Sequence, residues 1–311
     1  MTRIKEGIWP LVGLVAVAFS SWLLYKELRG LSLAEVLAAW KAISAPRWGL
    51  AILSTTLAYA ALAWYDQIAL RHLRHRLSWR FVGAVSFVTY ALSHNIGASV
   101  VSGAVVRYRA YSTKGLSAAE VGVVVAFTSI TFALGVLLLG GLTLLIQPSL
   151  LLRWIAAPPW AAKAAAVALL IGPWLYMLGA LLHFRAARIG GFRLIYPRPP
   201  IAARQMIVAP FELIGAAGII YFALPAETNP GFFIVLGVFL ASFSAALISH
   251  APGGLGVLEF TFLKAMPDVP PAELMAALLT FRLLYLIAPL IVSLIVVAVY
   301  ENGRLSALRD G

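Results

Sequence analysis

The chain contains no cysteine, and only 12% of its 311 residues are charged. The first absence excludes disulfides, thiolate nucleophiles and Cys-ligated metals. The second excludes an ordinary soluble domain, which covers its surface with about 25% charged residues. Acids are the scarcer sign, 12 Asp and Glu against 24 Lys and Arg, for a formal charge of +12. In a soluble protein that excess would suggest nucleic acid. Here the basic residues sit in short loops between apolar runs, where they set topology and meet anionic headgroups, so no nucleic-acid partner is expected. The five histidines form no H-x-x-x-H pair, and Walker, G-x-S-x-G and HExxH patterns are missing. No metal, cofactor or catalytic residue is therefore assigned.

What fills the chain instead is apolar: 62% of residues are hydrophobic, and mean hydropathy is +0.92. A bilayer core of about 30 Å needs about 20 helical residues. Six runs meet that length: 8–25, 48–70, 120–146, 162–182, 205–223 and 273–299. The first imitates a signal peptide, with Arg3 and Lys5 ahead of it and Ala16-Val17-Ala18 resembling a cleavage site. Its apolar run continues to Tyr25 and heads a series of similar runs, so it is read as a span. Two more apolar stretches, 81–106 and 231–266, are broken by Ser93-His94-Asn95-Ile96-Gly97 and by Ser249-His250-Ala251-Pro252-Gly253-Gly254-Leu255-Gly256.

Local signals mark the helix ends. Ser117 and Glu120 form a capping box, and Pro271 with Glu273 opens the last run. Ser32 and Glu35 open a segment over 31–45 with Leu33, Val36, Leu37 and Trp40 on one face, the pattern of an interfacial amphipathic helix. Trp9, Trp48, Trp64, Trp79, Trp154 and Trp160 fall at run ends, as an aromatic belt would.

The chain also repeats. Both breaks contain Ser-His-x-x-Gly, at 93–97 and 249–253, an offset of 156 that the spans nearly keep. It reads as span, span, broken segment, span, written twice: repeat 1 over about 1–155 and repeat 2 over about 156–311 of a single membrane domain. If all eight apolar segments crossed, the two sides would carry 10 and 13 Lys or Arg, almost without bias. If both broken segments are re-entrant, one side carries 16 and the other 7, with Arg282 inside the last span. The second arrangement satisfies the positive-inside rule, with both termini cytoplasmic. It also gives each half an odd number of crossings, hence an inverted repeat, a plan transporters use with broken helices near the midplane. The expected fold is thus an all-α polytopic membrane protein with about six full spans and two re-entrant helical hairpins. One feature opposes this, since 231–249 is nearly long enough to span alone.

Polar residues at membrane depth define the candidate site. At the first tip, His94 and Asn95, followed by Arg107 and Arg109, could bind an anionic headgroup. Alternatively, the arginines are positive-inside anchors and His94 a satisfied interior residue. At the second tip, Gly253, Gly254 and Gly256 would bare backbone N–H groups ahead of a helix near Val257, flanked by His250 and Glu259, an arrangement suited to an anion; a plain tight turn is the bland alternative. Arg282 lies mid-span, where an unpaired arginine costs at least about 2.5–3.5 kcal/mol. It either pairs structurally with Glu259 or Glu212, the latter a possible charge partner, or engages a phosphate in transit. Asp66 and Gln67 read as the solvated end of the second span.

Several segments resemble one family. These are Val106-Arg107-Tyr108-Arg109-Ala110-Tyr111-Ser112, Gly115-Leu116-Ser117-Ala118-Ala119-Glu120, Ala126-Phe127-Thr128-Ser129-Ile130-Thr131-Phe132, His250 through Glu259, and Phe281-Arg282-Leu283-Leu284-Tyr285. Together they are similar to the membrane domain of lysylphosphatidylglycerol synthase, the multiple peptide resistance factor, and to its standalone flippase-like members. The Pro-Gly-Gly-x-Gly-x-x-Glu run is the most specific part. In two-part members this domain translocates aminoacylated phosphatidylglycerol made by a separate soluble domain. With the chain ending at Gly311, soon after the last run, no aminoacyl-transferase domain is expected and the enzyme name is not carried over. The resemblance implies a flippase-like transporter in the bacterial cytoplasmic (inner) membrane for an anionic phospholipid, an aminoacylated derivative or a lipid-linked product. A separate synthase and a homo-oligomer are further candidate partners. The alternative is a membrane-embedded enzyme or accessory subunit of a lipid-modifying synthase, kept open by His250 beside Glu259.

Overall fold

The computed structural model describes residues 32–96, 99–184, 187–189, 192–249 and 252–309, so the first apolar run lies outside the described residues. In chain order the helices are α1 (Leu33–Lys41), α2 (Ala45–His72), α3 (Trp79–Ile96), α4 (Ser99–Tyr111), α5 (Ala118–Ile146), α6 (Ser149–Leu152), α7 (Pro159–Leu181), α8 (Pro199–Ala223), α9 (Phe232–Ser249), α10 (Val257–Ala265), α11 (Pro271–Phe281) and α12 (Ala288–Arg309). A π-helical turn, Arg282–Ile287, joins the last two. Between α7 and α8 a short antiparallel ribbon pairs β1 (Ala187–Ile189) with β2 (Phe192–Leu194).

Helix starts follow their capping chemistry. The Glu35 and Glu120 carboxylates each accept the N–H of the capping serine, Ser32 or Ser117, at 2.8 Å, and each serine hydroxyl accepts in return from the Glu N–H. These bonds satisfy donors that a helix start leaves orphaned. The expected amphipathic helix is α1. It packs on α11, with Trp40 Nε1 donating to Thr280 Oγ1 at 3.1 Å, while Leu33 and Leu37 stay exposed.

Among the described residues six helical segments are long and apolar enough to cross a membrane: those of α2, α5, α7, α8, α9, and α11 running into α12. The chain is a multi-pass helical membrane protein. Large apolar side chains such as Ile52, Leu53, Ile171, Trp174, Ile291 and Ile295 are exposed, which only a lipid environment tolerates on this scale.

The 18-residue α9 belongs to that set by length, yet contacts between loops decide its course. Thr228, just before α9, donates to Glu273 in the first turn of α11. Arg153, after α6, donates to Ala265 O at 2.7 Å and pairs with Asp268 at 2.9 Å. Residues 228, 265, 268 and 273 thus share one face, to which the chain returns after α9 and α10. Likewise His75 Nε2 lies 2.9 Å from Glu120 Oε1, so α3 and α4 leave and regain the opposite face. Arg47 donates to the Leu224 carbonyl, which puts the start of α2 and the end of α8 with Thr228.

At the centre α2 and α8 pack closely along their lengths. A Cβ added at Gly215 would stand 2.7 Å from Ser54 O and 2.8 Å from Ala58 N, and one at Gly218 would stand 2.8 Å from Ser54 Oγ. Small residues permit that approach, which matters where lipid supplies no hydrophobic drive between helices.

Candidate functional site

Both broken segments meet at the last span. Counting about 1.5 Å per residue from Pro271, Arg282 lies about 17 Å along, near the middle of a core about 30 Å thick. Its Nε donates to Glu259 Oε1 at 2.5 Å and its Nη1 to Gly253 O at 3.0 Å. Nη2 stands 2.5 Å from the same Oε1 without hydrogen-bond geometry, so this buried nitrogen has no hydrogen-bond partner. The other oxygen of Glu259 accepts the Gly256 N–H at 2.9 Å, capping α10.

The turn supplying these groups runs through left-handed backbone, with φ of +57° at Gly253, +63° at Gly254 and +75° at Gly256. Side chains other than glycine disfavour those angles. At Gly254 a Cβ would also meet the Ala246 Cβ at 3.0 Å. The expectation of bare backbone donors is therefore corrected in part, because Glu259 already occupies the Gly256 N–H. His250 lies outside the described residues.

Helix α3 touches both this turn and the π-helical turn. The His94 ring stacks on Tyr285 at 5.3 Å between centroids and meets Tyr90 at 5.6 Å and Phe243 edge-on at 6.2 Å. His94 Nδ1 is buried without a partner. Asn95 Nδ2 donates to Ala91 O at 2.8 Å and Leu286 O at 3.1 Å, and Tyr59 Oη donates to Tyr285 O at 2.9 Å. The widened turn offers these carbonyls to donors from the first half of the chain. Inserted turns of this kind recur at functional sites.

Glu212 is not the partner of Arg282. Its Oε1 accepts from Tyr285 Oη at 2.5 Å, its Oε2 is buried without a partner, and the residue is 1% exposed. A carboxylate on α10, one turn from the glycines, reaches Arg282 first.

Arg107 is the second correction. Rather than facing a headgroup, it donates through Nε and Nη2 to both oxygens of Asp66, at 3.1 and 2.8 Å. Tyr111 Oη adds a third bond to Asp66 at 2.8 Å, and the Tyr90 ring lies 4.8 Å from the guanidinium carbon. Asp66 is 0% and Gln67 6% exposed, so neither is a solvated span end. The overlooked signal was Ile68-Ala69-Leu70, a further apolar turn that carries the span past both residues. Arg109, two residues beyond Arg107, is exposed.

Sequence reasoning missed one more buried network. Gln205, fully buried on α8, donates to Thr131 Oγ1 at 2.8 Å and accepts from Tyr176 Oη at 2.6 Å, tying α5, α7 and α8 together. A lone amide in an apolar run is the signal that could have revealed it.

Chemically, the Arg282 cluster can hold an anion. Phosphate oxygens suit a guanidinium fork, and Glu259 is the one carboxylate such an anion would have to displace. By contrast, the Asp66–Arg107 pair is already complete.

Comparison with known proteins bears on the family of the chain. The family model described as lysylphosphatidylglycerol synthase TM region matches residues 11–293. The Synechocystis protein slr0712 is 30% identical over 287 residues, 90% of this chain and 87% of its own. The Escherichia coli inner membrane protein YbhN is 31% identical over 250 residues, 79% of this chain and 77% of its own. A Staphylococcus aureus phosphatidylglycerol lysyltransferase is 24% identical over 283 residues, covering 88% of this chain but 31% of that protein.

Proposed function

We propose, from the premise that the chain belongs to the lysylphosphatidylglycerol synthase TM-region family, that it moves an anionic phospholipid or an aminoacylated derivative across the bacterial cytoplasmic membrane. The observation that carries this reading is Arg282, a half-buried mid-span arginine at the meeting of two broken helices, whose Nε and Nη2 crowd onto a single Glu259 oxygen. A closed structural ion pair gives each of two guanidinium nitrogens its own carboxylate oxygen, as Asp66 does for Arg107. An arginine held by one carboxylate oxygen and one carbonyl can exchange that carboxylate for a headgroup phosphate at little cost in hydrogen bonds. His94, Asn95 and the glycine turn would line the path on either side.

The same reading treats repeats 1 and 2, about 1–155 and 156–311, as inverted halves. The recurrent Ser-His-x-x-Gly and the central pairing of α2 with α8, each the second span of its half, support it. The basic loops then face the cytoplasm, together with both termini. We read a transporter rather than an enzyme because both Glu259 oxygens are engaged, so this carboxylate is held as a cap and an ion-pair partner rather than poised as a general base. A separately encoded synthase and a second copy of the chain are the protein partners this role would admit.

The test is reconstitution of this chain alone in proteoliposomes carrying fluorescent phosphatidylglycerol in both leaflets. Addition of a membrane-impermeant quencher should bleach beyond the outer half, as fast lipid exchange requires. Bleaching that stops at the outer half, as in protein-free vesicles, would overturn the proposal.

A further inference from the structure

A cleft of about 710 Å³ opens on the face that carries His75 and Glu120, between the end of α2 and the start of α8. Arg71, Arg74, Arg76 and Arg204 converge on it, with Gln67 at its floor. Among the described residues none of the four arginines has a carboxylate within salt-bridge distance. Glu120, the nearby acid, is committed: Oε1 faces His75, and Oε2 accepts from the Ser117 N–H and hydroxyl. Arginines that only anchor topology can splay into the headgroup layer. Four gathered around one concavity repel one another, and a bound anion would relieve that repulsion. Arg74 even accepts left-handed backbone, φ +65°, at a helix-end position where glycine is usual.

An independent observation comes from the floor. Gln67 is 6% exposed, and its Oε1 is buried with no partner. Its Nε2 donates weakly to Leu77 O at 3.5 Å, which orients the oxygen as the unused group. A buried amide oxygen without a donor costs stability unless something supplies one. The arginines therefore call for an anion and Gln67 for a hydroxyl or ammonium.

We propose that this cleft binds a phosphate ester carrying a hydroxyl or ammonium donor. That chemistry is shared by phospholipid headgroups and by free phosphorylated polyols or amines. The site is separate from Arg282, and binding there does not depend on lipid movement.

The test uses the purified full chain in detergent with three probes: inorganic phosphate, glycerol 3-phosphate and phosphatidylglycerol in mixed micelles. Calorimetry reads the soluble probes, and native mass spectrometry reads the lipid. The double variant Arg71→Gln/Arg204→Gln, at two exposed positions, should weaken glycerol 3-phosphate or phosphatidylglycerol roughly tenfold or more. Gln67→Leu should weaken glycerol 3-phosphate or the lipid several-fold while sparing inorganic phosphate. Loss confined to phosphatidylglycerol identifies a lipid source, and loss of both ester probes shows that the phosphate ester itself is recognised. The proposal falls if the wild-type chain binds neither ester. It also falls if the double variant binds as well as wild type, or if Arg80→Gln, outside the cleft, weakens binding equally.

Discussion

Arg107, buried, and Arg282, half-buried, both lie beside broken helices, one in each half of the chain, and their surroundings differ in kind. Asp66 meets Arg107 with two oxygens in line with the guanidinium edge, Tyr111 braces the carboxylate and Tyr90 covers the cation. Both Asp66 oxygens there are used. Arg282 shares one Glu259 oxygen between two nitrogens, leans on the Gly253 carbonyl and leaves Nη2 without a hydrogen bond. Side-chain exposure runs the same way, 4% against 14%. A closed pair holds α2 against α4, whereas an open one leaves room for a third charged group. The same residue type in the same solvent thus serves structure in one half and is available for binding in the other.

The sharpest break in that comparison would come from removing each acid. Asp66→Ala strands a fully buried cation and should cost about 3–5 kcal/mol, read as a large fall in the thermal midpoint in detergent and in yield of folded protein. Glu259→Ala should cost clearly less, because Arg282 is less enclosed and keeps its bond to Gly253. Equal losses would erase the distinction between the closed and open pairs.

Arg282→Ala comes next. The protein should insert and fold, yet lipid movement should fall by roughly tenfold or more, and Arg282→Lys should restore only part of it, since lysine keeps the charge and loses the fork. Normal movement by the alanine variant would make Arg282 as structural as Arg107.

Gly254→Val tests the turn that presents Glu259 and the Gly253 carbonyl to Arg282. It places a β-branched residue at φ +63° and a Cβ 3.0 Å from Ala246. We expect insertion to survive and lipid movement to be lost, with a stability cost on the order of 1–3 kcal/mol for the strained backbone. Retained movement would detach the turn from function.

The gentlest probe uses the absence of native cysteine. Ser78→Cys and Ser112→Cys should react with impermeant maleimide from one side of the membrane, and Glu227→Cys and Asp268→Cys from the other, with little change in stability. Reaction of Ser78→Cys and Ser112→Cys from opposite sides would mean that α3 and α4 together cross, and the comparison of two re-entrant tips would fail.

Much of this was legible in the sequence where the responsible physics is local. Capping at Ser117 and Glu120 needs three residues of separation, and the breaks at Ser93–Gly97 and Ser249–Gly256 announce themselves by composition. Arg282 stood out because an arginine amid Leu and Phe has no cheap explanation, and Glu259 was one of two acids within plausible reach. Asp66 was misjudged because hydropathy fades gradually toward a span end, so a polar residue four positions before Leu70, the last residue of the apolar run, looked solvated. Its partner, Arg107, lies 41 residues away, across a hairpin whose packing no local pattern encodes. The π-helical turn was equally hidden. Nothing in Arg-Leu-Leu-Tyr-Leu-Ile specifies it, and the donors that bond its carbonyls, Tyr59 and Asn95, come from distant helices.

By itself the sequence determined that this chain lives in a bilayer, where its helices start, where two of them break and which residues are too polar for their depth. These follow from transfer free energies and from capping, which depend on a residue and its near neighbours. Only the tertiary structure decided which charges are spent and which remain available: Asp66 on Arg107, Glu259 on Arg282, Tyr285 on Glu212, and Gln67 left open beneath four arginines. The physical reason is that pairing requires atoms within about 3 Å, a distance that helix packing sets and chain order does not.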